Sequence, residues 1–166
     1  MKFAFQAVFM AFLLASCIVD EHGSEASQAE GSIVRVGDRL PVFTVDVVSG
    51  DGRHTFSSNS LTGTTVIIFF HTGCSDCQRE LPRLDAYYLA HRSEPGFQMV
   101  AIAREEQEDE IAAYWREHRL SIPYSPQEDR RIYSLFASLS IPRVYISTAE
   151  GIVSWIGVEN FEMPNF

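Results

Sequence analysis

Apolar and polar positions alternate over residues 42–48, where Phe43, Val45 and Val47 are separated by Thr44 and Asp46. Successive strand side chains point to opposite faces, so this period of two predicts a strand buried on one side. Ser49-Gly50-Asp51-Gly52 supplies turn residues, and 53–56 can return as a second short strand. A loop or one helical turn is predicted over 57–63. Residues 64–70 (TTVIIFF) show no alternation and are β-branched or aromatic throughout. Such a run predicts a central strand covered on both faces. From 75 to 92 the spacing becomes helical, with Leu81, Leu84, Tyr88 and Leu89 on one side and Pro82 predicting a kink. Ser93-Glu94-Pro95-Gly96 ends that helix. A strand is predicted over 97–103, then a helix over 105–120 whose acidic start suits a helix N-terminus. Ile111, Tyr114, Trp115 and His118 lie on one side of it, and 122–126 is a connector. A third helix is predicted over 127–139, because Ile132, Leu135, Phe136 and Leu139 follow i, i+3, i+4, i+7. Ile141-Pro142 leads into strands over 143–147 and 152–158, joined by a turn at 149–151. Strands alternating with helices and ending in a hairpin predict an α/β domain. It is a mixed central sheet with helices on both faces and an added N-terminal β-hairpin.

The first residues follow another pattern. One positive charge, Lys2, precedes an apolar run over 3–15 broken only by Gln6. This run is too short to span a bilayer and has the length of a signal-peptide core. Leu14-Ala15-Ser16-Cys17 resembles a bacterial lipobox. That resemblance implies cleavage before Cys17 and acylation of its thiol, which anchors the chain at a membrane. A secretory signal with a chance cysteine is the alternative. Residues 17–32 are small, polar and acidic and read as a flexible tether. The resulting division is 1–16 signal peptide, 17–32 tether and 33–166 domain.

Charge narrows the partners. The formal net charge is −9, and losing Lys2 with residues 1–16 takes it to −10. Nucleic acid is excluded as a partner, since phosphate binding needs basic patches. Electrostatic docking on anionic lipid is excluded on the same ground. The length, 166 residues, suits one domain plus a targeting piece.

Cys74 and Cys77 lie three apart where a buried strand gives way to a helix. At a helix mouth, unpaired backbone N–H groups and the helix dipole favour the Cys74 thiolate, the attacking species. Cys77, one turn further in, can attack the mixed disulfide so formed and release a reduced product. A structural zinc site needs two more Cys or His ligands. Cys17 is spent on lipid, and His22, His54, His71, His91 and His118 form no HxxxH pair, so no metal site is expected.

The segment Phe69-Phe70-His71-Thr72-Gly73-Cys74-Ser75-Asp76-Cys77-Gln78-Arg79-Glu80-Leu81-Pro82 resembles the active site of membrane-anchored thioredoxin-like thiol–disulfide oxidoreductases. These are the TlpA and ResA type, related to the AhpC/TSA group. Val36-Gly37-Asp38, Leu40-Pro41 and Ile141-Pro142 extend the resemblance over roughly 36–158. It implies a thioredoxin-like fold, with Cys74 as nucleophile and Cys77 as resolving cysteine. Pro142 matches a cis-proline that lies against the pair, leaving the preceding Ile141 backbone free to bind substrate chain. Glu80 matches a glutamate that accepts or shuttles a proton; a solvated first-turn acid is its plainer reading. The redox-active disulfide Cys74–Cys77 serves without an added cofactor. The implied function is reduction of disulfides in exported proteins, with electrons from a membrane donor. The implied location is the cell envelope, lipid-anchored and facing the periplasm or the cell surface.

Departures matter here. Gly73 stands where the family often has Trp, and Asp76 where it often has Pro. A carboxylate beside Cys77 opposes thiolate formation, so Asp76 is expected to make the pair more reducing. Only 159–166 remain where a C-terminal helix is usual. Arg143, next to Pro142, is read as a rim residue or a substrate contact. A peroxiredoxin needs Thr three residues before its cysteine, where this chain has His71. The remaining alternative is a thioredoxin-like binding module that carries copper or docks a partner without turnover.

Overall fold

The computed structural model describes residues 30–165. Cys17, the expected signal and most of the expected tether lie outside them. No helix among the described residues is long and apolar enough to cross a membrane.

The alternating run forms β1 (Thr44–Ser49), with Val45 and Val47 buried and Thr44 and Asp46 exposed. It pairs antiparallel with β2 (Gly52–Ser57), from Thr44↔Ser57 to Ser49↔Gly52. The unbroken apolar run forms β3 (Thr65–Phe70), all six residues buried. It lies between β4 (Gln98–Ala103), parallel, and β6 (Arg143–Ser147), antiparallel. β7 (Val153–Val158) completes the C-terminal hairpin. The expected connector contains a two-residue strand, β5 (Tyr124–Ser125), which bridges β1 and β4. Pro123 and Pro126 flank it, and prolines donate nothing to a ladder, which limits its length. The sheet therefore runs β2-β1-β5-β4-β3-β6-β7.

Two helices, α1 (Ser75–His91) and α2 (Glu108–His118), lie side by side on one face. Asp85 of α1 accepts the N–H groups of Ser121 and Ile122, just past α2, at 2.6 and 2.9 Å. α1 runs through Pro82 without a break. Adjacent strand residues face opposite ways: Phe70 meets Trp115 under the helices, ring centroids 5.0 Å apart. Phe69 meets Tyr133 and Phe136 on the other face, at 5.4 and 4.9 Å.

That second face corrects the expected third helix. Over 127–139 only a 3-10 turn forms, Tyr133–Leu135. The residues it buries are Tyr133, Phe136 and Ala137, while Leu135 and Leu139 of the helical stripe are exposed. Its backbone groups are committed elsewhere. The Phe136 carbonyl accepts from Ile33 N, Val34 N and the Tyr145 hydroxyl. The Leu139 carbonyl accepts from Arg104, and Ser138 N donates to the Gly31 carbonyl. Tertiary partners outcompete the helical ladder, and helix propensity is too weak to resist them.

Arg143 is neither a rim residue nor exposed to substrate. It is fully buried (0%). Its guanidinium donates to the Ser140 carbonyl (3.3 Å), the Glu30 carbonyl (2.9 Å) and the Ser32 hydroxyl. Residues 30–32 are thereby held against the segment that precedes β6.

α2 starts at Glu108 because Glu105 (φ 63°) turns the chain in the left-handed region and Glu106 N pairs with the Gln127 carbonyl (2.8 Å). It ends at Arg119, also left-handed (φ 55°). A side chain there carries a steric cost that glycine lacks. Arg119→Gly is expected to stabilise the protein by about 0.5–1 kcal/mol. Thermal unfolding checks this; an unchanged or lower midpoint contradicts it.

Candidate active site

β3 ends at Phe70, and the chain turns through His71, Thr72 and Gly73 into α1. The His71 carbonyl accepts Cys74 N (3.1 Å), and Gly73 N donates to His71 Nδ1 (2.9 Å). Gln78, one turn into the helix, donates its side-chain amide to the Thr72 carbonyl (2.7 Å). Cys74 itself is the N-cap of α1, with extended backbone (φ −87°, ψ 121°). Its sulfur accepts the Cys77 N–H at 3.5 Å, a donor suited to a sulfur anion.

The two thiols differ in access: Cys74 is half-exposed and Cys77 fully buried. Burial pushes the Cys77 thiol far up, with a hydrogen bond to the His71 backbone and the charge of Arg104 pulling the other way. A buried thiol is inert until its surroundings change. Iodoacetamide at neutral pH is therefore expected to label Cys74 but not Cys77 in the folded, reduced protein. Peptide mass mapping reads this, and labelling of Cys77 at a similar rate overturns it.

The Ile141–Pro142 peptide is cis. The Ile141 carbonyl accepts from the Cys74 thiol at 3.6 Å, so the loop before β6 meets the pair. Ile141 is thus brought to Cys74, with Pro142 the next residue in the chain.

Glu80 is placed differently. It is buried (1%), so it is not a solvated acid. Its oxygens take Arg79 Nε at 3.1 Å and Arg83 Nη1 at 3.0 Å. With Arg83, Leu84, Tyr87, Phe161 and Met163 it lines a cavity of about 350 Å³ under the C-terminal segment. Arg79 also binds Asp76 (2.7 Å). Asp76 is half-exposed and paired, so solvent and a guanidinium both weaken its field at the cysteines.

Gly73 also has a structural reason. A Cβ there would meet the His71 ring at 3.3 Å, closer than most such contacts, so the imidazole occupies the space a side chain at 73 would need.

Glu106 and Thr72 belong to this site and were not anticipated. Glu106 is buried, and its carboxylate accepts both the Thr72 N–H (2.9 Å) and the Thr72 hydroxyl. His71 Nδ1 lies 3.9 Å from the same carboxylate. In sequence, Glu106 hides in the acidic run 105–110, where every acid looks like a helix-start charge. Among the described residues, no group of three His, Cys, Asp or Glu side chains is placed to hold a metal ion.

A C-x-x-C pair at a helix mouth, next to the cis Ile141–Pro142 peptide that enters the neighbouring strand of a mixed sheet, defines a domain with the thioredoxin-like fold. The chain belongs to the AhpC/TSA family, whose profile matches residues 36–156. Among curated relatives, "Probable nucleoredoxin 1" of Arabidopsis thaliana is 30% identical over 108 residues, covering 63% of this chain but 18% of the plant protein. Thiol-disulfide oxidoreductase ResA of Bacillus cereus is 21% identical over 126 residues, covering 75% of this chain and 70% of that one. A solved thioredoxin-family thiol:disulfide interchange protein from Chlorobium tepidum superposes with a TM-score of 0.60. It is 27% identical and aligns over 74% of this chain and 86% of its own.

Proposed function

We propose that this protein is a thiol–disulfide oxidoreductase that reduces disulfides of exported proteins. The observation that carries this reading is the pairing of a half-exposed N-cap Cys74 with a buried Cys77 beneath the Ile141 carbonyl. The Cys74 thiolate attacks a client disulfide. One S–S bond breaks, a mixed disulfide forms, and the departing client sulfur takes up a proton. Cys77 gives up its proton and attacks the Cys74 sulfur, forming the Cys74–Cys77 disulfide and releasing the second client thiol. Two electrons pass to the client, and a dithiol donor at the membrane returns them. The pair is its own redox group, with no added cofactor.

Ile141 and Pro142 receive the client chain, since the Ile141 carbonyl faces the nucleophile. Glu80, held between two arginines, is the proposed acid or proton shuttle. Cys17 carries the lipid, and the domain works in the cell envelope, facing the periplasm or the cell surface.

The deciding experiment is the reduction potential of the pair, measured by equilibrating the protein with defined thiol buffers. A value near that of thioredoxin, about −270 mV, is expected for a reductase. A value near −120 mV reverses the direction to oxidation. Failure to form an intramolecular disulfide removes the enzyme and leaves a binding module.

A further inference from the structure

Glu106 is a buried carboxylate that the exchange chemistry above does not use. Its side chain is only 1% exposed, and burying a carboxylate is costly unless donors answer it. Two donors do, and both come from one residue: the backbone N–H and the hydroxyl of Thr72. Thr72 is the middle of the three-residue loop between β3 and the nucleophile. Glu106 in turn is fixed by its own N–H on the Gln127 carbonyl (2.8 Å) and by the left-handed turn at Glu105. The loop presenting Cys74 is thus fastened from behind to the start of the β4–α2 connection.

His71 adds a second feature. Its Nδ1 accepts the Gly73 N–H at 2.9 Å, which assigns the proton of the neutral ring to Nε2. Nδ1 also faces Glu106 Oε1 at 3.9 Å. Two acceptors facing at that distance form no bond. A proton added at Nδ1 converts it into a donor. It must release the Gly73 N–H, the residue before Cys74, and it gains a charge-assisted partner in Glu106.

We infer that Glu106 is a positioning residue for Cys74, holding the active-site loop through Thr72. The inference rests on Cys74 being the nucleophile. The charged groups around this corner are Arg104, the Glu105–Arg130 pair (3.7 Å), the Arg53–Glu108 pair, Asp129 bound to Arg131, and the two thiols.

The test is the rate of Cys74 alkylation against pH in the reduced protein, with circular dichroism confirming the fold of each variant. Glu106→Gln keeps the volume and one carbonyl oxygen, so it still accepts from Thr72. At the alkaline end Glu106→Gln stays within about twofold of wild type, whereas Glu106→Ala is slowed about tenfold, the factor for one hydrogen bond to a charged group. If Glu106→Ala does not fold, Thr72→Val removes the hydroxyl bond alone and is expected to slow Cys74 in the same direction. A Glu106→Gln variant slowed as much as Glu106→Ala overturns the inference. So does an unchanged rate in whichever of Glu106→Ala or Thr72→Val folds. A protein that alkylates with these profiles yet forms no Cys74–Cys77 disulfide instead overturns the oxidoreductase reading.

Discussion

Cys77→Ser is expected to stop turnover while leaving Cys74 able to attack, so that the protein accumulates as a mixed disulfide with its client. Cys77 is one helical turn from Cys74, its N–H 3.5 Å from the Cys74 sulfur. Its attack is therefore intramolecular. Well-oriented intramolecular groups act with effective molarities of roughly 10⁵ M or more. Release by an external thiol at millimolar concentration is slower by several orders of magnitude. Serine keeps nearly the same volume in a fully buried position, so the fold is retained. Non-reducing electrophoresis and mass spectrometry read the outcome: a reducible adduct on Cys74 for Cys77→Ser, and none for Cys74→Ser. An adduct in Cys74→Ser, or normal turnover in Cys77→Ser, contradicts the assigned roles.

The largest effect on stability away from the cysteines is expected from Arg143→Leu. The guanidinium is fully buried with no carboxylate among its hydrogen-bond partners; two carbonyls and one hydroxyl satisfy it. Leucine fills much of the volume but leaves those acceptors unanswered. Each orphaned buried group costs about 1–3 kcal/mol, offset in part by no longer burying a charge. A net loss of about 2–4 kcal/mol is expected, a drop in melting temperature of about 5–15 °C. The same change should open residues 30–32 to limited proteolysis before the domain unfolds. A variant with wild-type melting and an uncut arm shows that the clamp contributes nothing.

How much of this was legible depended on whether a residue's partner is local. β3 could be read because six consecutive apolar residues have one explanation, burial on both faces. β1 could be read because Phe43, Val45 and Val47 alternate with polar residues, and the cysteine pair because its spacing is one helical turn. The 127–139 segment misled because Ile132, Leu135, Phe136 and Leu139 have helical spacing, while its carbonyls are claimed by distant segments: Phe136 by Ile33 and Val34, Leu139 by Arg104. β5 was missed because two residues between prolines carry no pattern. Glu106 was invisible among neighbouring acids, since only the fold puts Thr72 over it. Arg143 read as a surface charge because nothing beside it in sequence reveals that Glu30 and Ser32 come to meet it. Asp76 drew attention as a carboxylate beside Cys77, although Arg79, three residues on, lies within reach of it on the helix.

The clamp on Glu30 also fixes where the described chain enters the domain. The chain leaves the domain beside the loop whose Ile141 carbonyl meets Cys74. With the lipid on Cys17 that we propose, thirteen residues form the leash, and even fully stretched they span at most about 45 Å. On that proposal the active site stays within a thin shell beside the lipid headgroups. Disulfides held close to that surface meet the nucleophile at a high local concentration, and those on proteins drifting free of the membrane meet it rarely.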